Sequence, residues 1–143
     1  MRERKDIKKT IYDAWYKQGK RDSEVADYCL KGGYYEWACF CYQEAVVKII
    51  KAALKKLDLD SFRHSVFNLL ETLAQKIEVP QELFDIAKEI DKHYILSRYP
   101  GANMLKPPYQ NYTLKDVENV KKLSEKIIDF INKNIIDKDK SIN

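Results

Sequence analysis

The chain predicts an all-α protein, an up-and-down bundle of four to five helices, and three observations lead there. Apolar residues recur at helical spacing in every long segment, as in Ile7, Ile11 and Trp15. No segment shows the sustained apolar–polar alternation of a half-buried strand. The four glycines and four prolines are few and gather at segment ends. At 143 residues a single domain is expected over positions 1–136, followed by a polar tail at 137–143. A chain of this length buries roughly 70% of its unfolded surface without disulfide or metal support.

The first helix is expected over about residues 3–31, its stripe running from Ile7, Ile11 and Trp15 to Asp22, Val25, Ala26 and Cys29. Gly19 is tolerated within it or kinks it. Gly32-Gly33 ends it, because glycine supplies the left-handed conformation that caps a helix C-terminus. Asp22 is an acid on an apolar face, where an unpaired charge is costly, so a cation or backbone donors must meet it. Next comes Tyr34–Leu57, apolar around most of its circumference, with charge confined to Glu44, Lys48, Lys51 and Lys55. A surface helix needs only one apolar stripe, so this one is expected at the centre, with surplus surface for a subunit interface. A third helix follows His64-Ser65 and carries Val66, Leu69, Leu70 and Leu73, the serine hydroxyl serving as its cap. Pro80 suits the first turn of a fourth, whose stripe is Leu83, Ile86, Ala87, Ile90 and Tyr94. Thr113 with Asp116 makes a capping pair for the last helix, which presents Val117, Val120, Leu123, Ile127, Ile131 and Ile135.

Composition narrows the function classes. The net charge of +4 is modest and its lysines alternate with acids, which permits a nucleic-acid or anionic surface without demanding one. Charges interrupt every apolar run short of a membrane span, and MRERKDIKKT lacks the apolar core of a signal peptide. Cys29, Cys39 and Cys41 form an odd set with no C-x-x-C, read as small buried residues in a reducing compartment, so a cytoplasmic location is expected. His64 and His93 fall on different segments without metal-ligand spacing, and there is no phosphate-binding glycine loop or nucleophile elbow. No catalytic residue, metal or cofactor is assigned.

The stretch SRYPGANMLKPPYQNY, about residues 97–112, is longer than most bundle connections, and such loops are often functional. It mixes Arg98 and Lys106 with Tyr99, Tyr109 and Tyr112. An arginine forks onto phosphate while a tyrosine stacks on a base, the pairing a nucleotide or single-stranded RNA site uses. A proline-stiffened strap, its tyrosines covering the bundle and Arg98 bonding helix-end carbonyls, accounts for the same residues.

Between about Trp15 and Ile131 the chain resembles the HEPN family, the higher-eukaryote and prokaryote nucleotide-binding domain, in its stand-alone prokaryotic branch. The resemblance rests on Trp15, Asp22 and Ala26, on Gly33-Tyr34, and on Trp37-Ala38-Cys39-Phe40 with Gln43, Ala45, Lys48, Lys51 and Ala52. His64-Ser65 with Leu69-Leu70, Tyr94-Ile95 and Ser97-Arg98-Tyr99-Pro100 complete it in order. It implies a compact bundle, a homodimer and a nucleotide ligand, with a small nucleotidyltransferase partner in a toxin–antitoxin-like pair. It also implies a ligand site of Arg98 on phosphate, Tyr94 or Tyr99 flanking it within the Ser97-initiated element, and His64 or Lys51 contributing. Many members are ribonucleases that place a histidine four to six residues after the arginine. Here Ala102, Asn103 and Met104 stand at those positions, so the imidazole that would move the ribose 2′-OH proton is missing. An altered ribonuclease, drawing on His64 or His93, and a purely structural oligomerisation module are the alternatives. Val47, Ser23 and Gly101 also depart from the family's usual Glu, Leu and Asp.

Overall fold

The computed structural model describes residues 2–101 and 105–138. Among them there is no strand, and the order is α1 (Arg2–Gly32), α2 (Tyr35–Lys56), α3 (Val66–Leu73), α4 (Gln81–Asp91), the one-turn α5 (His93–Leu96) and α6 (Leu114–Ile131). A 3₁₀ turn at Pro108–Asn111 precedes α6, and a π-helical turn at Asn132–Ile136 closes it. Residues 102–104 of the long loop and 139–143 of the tail lie outside the described residues.

The hairpin of α1 and α2 forms as expected. Gly33 takes φ +82°, and its neighbour Tyr34 donates its N–H back to the Cys29 carbonyl. The two helices approach closely at Gly19. A Cβ added there would stand 2.7 Å from Ile49 Cγ1 and 3.0 Å from the Ala45 carbonyl oxygen, so this glycine permits the crossing, and α1 continues through it as one helix. That contact decides which face of α1 is inside. The buried line runs through Gly19 and Ala26, whereas the Ile7–Ile11–Val25 stripe, expected in the core, is exposed. Small residues win the contact line because they bring the two backbones together.

α2 is central. Ala38, Cys39, Ala45, Val46, Val47, Ile49, Ile50, Ala52, Ala53 and Leu54 are all buried, with α1, α3, α5 and α6 packed around it. Most of its apolar surface is thus used within the chain, while Trp37 near its N-terminal end stays 45% exposed. Tyr42 ties three helices: its hydroxyl donates to Asp27 on α1 at 2.5 Å, and Lys121 on α6 meets the same carboxylate at 3.2 Å. Burial and the Asp27 hydrogen bond push the Tyr42 phenol up. At the far end Tyr16 donates to Asn132 at 2.9 Å, and Lys56 caps the carbonyls of Ile135 and Ile136 at 2.8 and 3.1 Å.

Ser65 caps α3 as the sequence indicates, accepting from Asn68 N at 2.9 Å. Two more free N–H groups, of Val66 and Phe67, donate to the Asp91 carboxylate at 2.8 and 3.0 Å. Asp91 is the last residue of α4, and the helix breaks directly after it. Tyr94, expected to extend the α4 core stripe, thus falls on the separate α5 and stands half-buried at the surface. Pro80 serves α4 as the residue before its first turn, not within it. The Thr113–Asp116 capping box of α6 forms in both directions. Cys39 and Cys41 are buried free thiols, pushed up to about 12 by burial.

Candidate functional site

Arg98 follows α5, in the turn that leads into the long loop. Its Nε and Nη2 both donate to the Tyr94 carbonyl, at 2.8 and 2.5 Å, closing the helix end as the strap reading foresaw. Those bonds fix the plane of the guanidinium. Three rings then enclose it, with the Phe40 and Tyr94 centroids each 4.4 Å from Cζ and that of Tyr99 at 5.1 Å. The cage draws on three places in the sequence: Phe40 from α2, Tyr94 from α5 and Tyr99 from the loop. Trp37 continues it, its ring centroid 5.1 Å from that of Phe40. Nη1 has no hydrogen-bond partner among the described residues. The cation is held rigidly, with one end left to accept a new partner.

His64 reaches the same cluster from the start of α3. Its ring centroid lies 5.1 Å from that of Tyr94, and its Nε2 is 2.7 Å from Glu44 Oε1. The other Glu44 oxygen is 3.7 Å from Lys48 Nζ, which in turn pairs with Asp22 on α1. This is the cation that Asp22 required, and Gln18 adds a hydrogen bond at 3.1 Å. A line of paired polar side chains thus crosses α2 from Asp22 to His64. Gln43 is fully buried, donates to the His64 carbonyl at 3.4 Å and leaves its Oε1 without a partner among the described residues.

The expected site residues divide. Arg98, Tyr94, Tyr99 and His64 come together. Ser97 is buried beneath them, its hydroxyl donating to the His93 carbonyl at 2.5 Å, so it holds the turn and does not face outward. Lys51 is elsewhere, its ammonium 5.3 Å from the Trp15 ring centroid in a cleft with Lys55 and Phe62. His93 bonds the Tyr112 hydroxyl at 2.8 Å and is largely enclosed, which holds its imidazole below the usual range. Burial pushes Tyr112 up in turn. Phe40 and Glu44 were the residues that sequence reasoning did not assign to the site. Phe40 carried a signal in its place beside Trp37. Glu44 looked like part of a solvated strip, and its partner lies twenty positions away in sequence.

No group of His, Cys, Asp and Glu among the described residues is arranged to hold a metal ion. None of the described helices is long and apolar enough to cross a membrane. What remains is a caged arginine with an exposed tyrosine face beside it and a carboxylate-held histidine next to that. Such a set can bind an anion and stack a flat ring.

Comparison with known proteins agrees with this architecture. Residues 12–135 match the HEPN domain family. A crystal structure from Thermus thermophilus is 32% identical, covers 85% of this chain and 96% of its own, and superposes with a TM-score of 0.81. An archaeal HEPN homologue is 32% identical over 85% of this chain and 94% of its own, with a TM-score of 0.72. A HEPN domain protein from Thermotoga maritima is 31% identical over 83% and 94%, at 0.68. No curated protein matches the chain.

Proposed function

The chain belongs to the HEPN family, and from that membership and the caged arginine we propose that it is a nucleotide-binding protein whose ligand phosphate docks on Arg98. The observation that carries this is the geometry of Arg98. Two of its nitrogens are tied to one carbonyl, three rings surround it, and Nη1 is left for an anion. Tyr99, 54% exposed, offers a face on which a base stacks. His64, fixed by Glu44, supplies a second polar contact beside Tyr94. The protein acts as a homodimer that closes over the apolar rim of this site, where Trp37, Ile95 and Leu96 are exposed. It works with a small nucleotidyltransferase in a toxin–antitoxin-like pair. The three free thiols fit the reducing cytoplasm.

Charge-assisted hydrogen bonds contribute about 1.5–3 kcal/mol, so Arg98→Ala is expected to weaken nucleotide binding roughly ten- to a hundredfold in calorimetry. Arg98→Lys does not restore it, because an ammonium lacks the planar fork that the three rings hold. A wild-type protein that binds no nucleotide sinks the reading. The His64–Glu44 pair supports a second reading, a ribonuclease with an altered site in which His64 replaces the imidazole missing after Arg98. It differs in one observable, cleavage of single-stranded RNA that His64→Ala abolishes.

A further inference from the structure

One face of α1 carries apolar side chains that the described residues leave exposed. Ile7 is 60% exposed and Ile11 43%, one helical turn apart, and Trp15 follows one turn on. Phe62, in the loop after α2, is 97% exposed. Three depressions run along this face and share walls. One of about 420 Å³ lies between Arg4, Lys5, Lys8 and Ile11; one of about 310 Å³ lies between Ile11 and Trp15; and a cleft of about 230 Å³ lies between Trp15, Leu54 and Phe62. Together they form one groove with an apolar floor.

Its rim is basic. Lys8 is matched by Asp58 and Lys55 by Asp60, both at 3.0 Å. Arg4, Lys5 and Lys51 have no carboxylate at ion-pair distance among the described residues. The groove therefore offers Ile11 and Trp15 one helical turn apart, with Ile7 exposed one turn before them, flanked by cations that have no carboxylate at ion-pair distance among the described residues. A helix laid in such a groove inserts its own apolar residues at helical spacing and turns its polar flanks to the rim.

We propose that this groove docks an acidic amphipathic helix of a partner protein, with one large apolar side chain seated between Trp15 and Phe62. Each competing occupant fits less well. A second copy meeting the groove about a two-fold would set Arg4, Lys5 and Lys51 against their own equivalents, an arrangement of like charge. Single-stranded nucleic acid would satisfy the cations and stack on Trp15, yet it has no use for the exposed aliphatic side chains of Ile7 and Ile11. The end cleft, at about 230 Å³, falls below the roughly 300–1,000 Å³ of sites that enclose small ligands and suits one anchoring side chain, while the two larger depressions lie open to solvent and enclose nothing.

A helix-display library tests this on the full chain, with apolar anchors at i, i+4 and i+7 and polar positions randomised among acidic, neutral and basic residues. Glu- and Asp-rich helices are expected to be enriched. A synthetic peptide of the enriched sequence should bind with affinity that falls as salt rises, and at least about tenfold more weakly to an Ile11→Ser, Phe62→Ser double variant and to Lys51→Glu. Both serine positions are exposed, so an unchanged circular dichroism spectrum and melting temperature are expected alongside the loss. Enrichment without an acidic bias, or equal binding to the variants, overturns the proposal. So does a dimer that the double variant converts to monomer in sedimentation, which assigns the groove to a second copy. Oligonucleotide binding lost in the same variants assigns it to nucleic acid and overturns it as well. Nucleotide titration of the double variant reports on Arg98 separately, and is expected to match wild type.

Discussion

At the scale of single residues, Arg98 and His93 show how one segment combines two opposite devices. Arg98 holds its guanidinium at the surface between three rings, donating to one carbonyl. Five residues earlier, His93 is enclosed against Tyr112, and burial favours its neutral form. The consequence for stability has a definite sign. The unfolded imidazole, with its ordinary value of 6.5, takes up a proton before the folded one does, so the contribution of His93 is complete above that pH. It is lost as pH falls below 6.5 towards the lower folded value, with a slope of at most about 1.4 kcal/mol per pH unit. Urea unfolding at neutral and mildly acid pH measures this, and His93→Gln is expected to flatten that part of the profile. An unchanged slope would show that other groups set it. Arg98 was legible in the sequence from its Ser-Arg-Tyr-Pro setting. A helix-end carbonyl as its partner was legible too, in the strap reading; the contribution of Phe40 was not, because it depends on how α5 turns away from α4.

At the scale of elements, the α1–α2 crossing carries most of the architecture. Gly19 admits no side chain without moving Ile49 or the Ala45 carbonyl. Gly19→Val is expected to destabilise the fold by about 1–3 kcal/mol, read as a lowered thermal midpoint, even though valine is the better helix former. A midpoint at or above wild type would mean that the two helices are free to separate. The same crossing explains what periodicity could and could not reveal. The order of the five helices longer than one turn was legible, and so were starts such as those capped by Ser65 and the Thr113–Asp116 box, which are local chemistry, whereas the break after Asp91 was not. The inward face of α1 was legible only in part: Ala26, on the expected stripe, is buried, but hydropathy selects Ile7 and Ile11 where close packing selects Gly19. Capping by Asp91 was equally hidden, since its recipients lie a full helix away in sequence.

At the scale of the whole molecule, two of the exposed apolar regions sit in different surroundings. Around Arg98 the rim of Trp37, Ile95, Leu96 and Tyr99 encloses a cation that is already satisfied on one side, a setting for an interface built over a ligand. A specific contact there would bury roughly 1,600 Å² in total, and sedimentation should find a dimer that Trp37→Glu dissociates. Along α1 the groove has unmatched cations and calls for an acidic partner. The line from Asp22 through Lys48 and Glu44 to His64 connects the two regions across α2. The caged arginine remains the centre of the functional reading. Isothermal titration of a nucleoside monophosphate panel into wild type and Arg98→Ala, with matched circular dichroism, tests it most directly. Saturable binding by wild type and a loss of at least about tenfold in the variant are predicted. Equal affinity in the two proteins, or no binding by wild type, would contradict it.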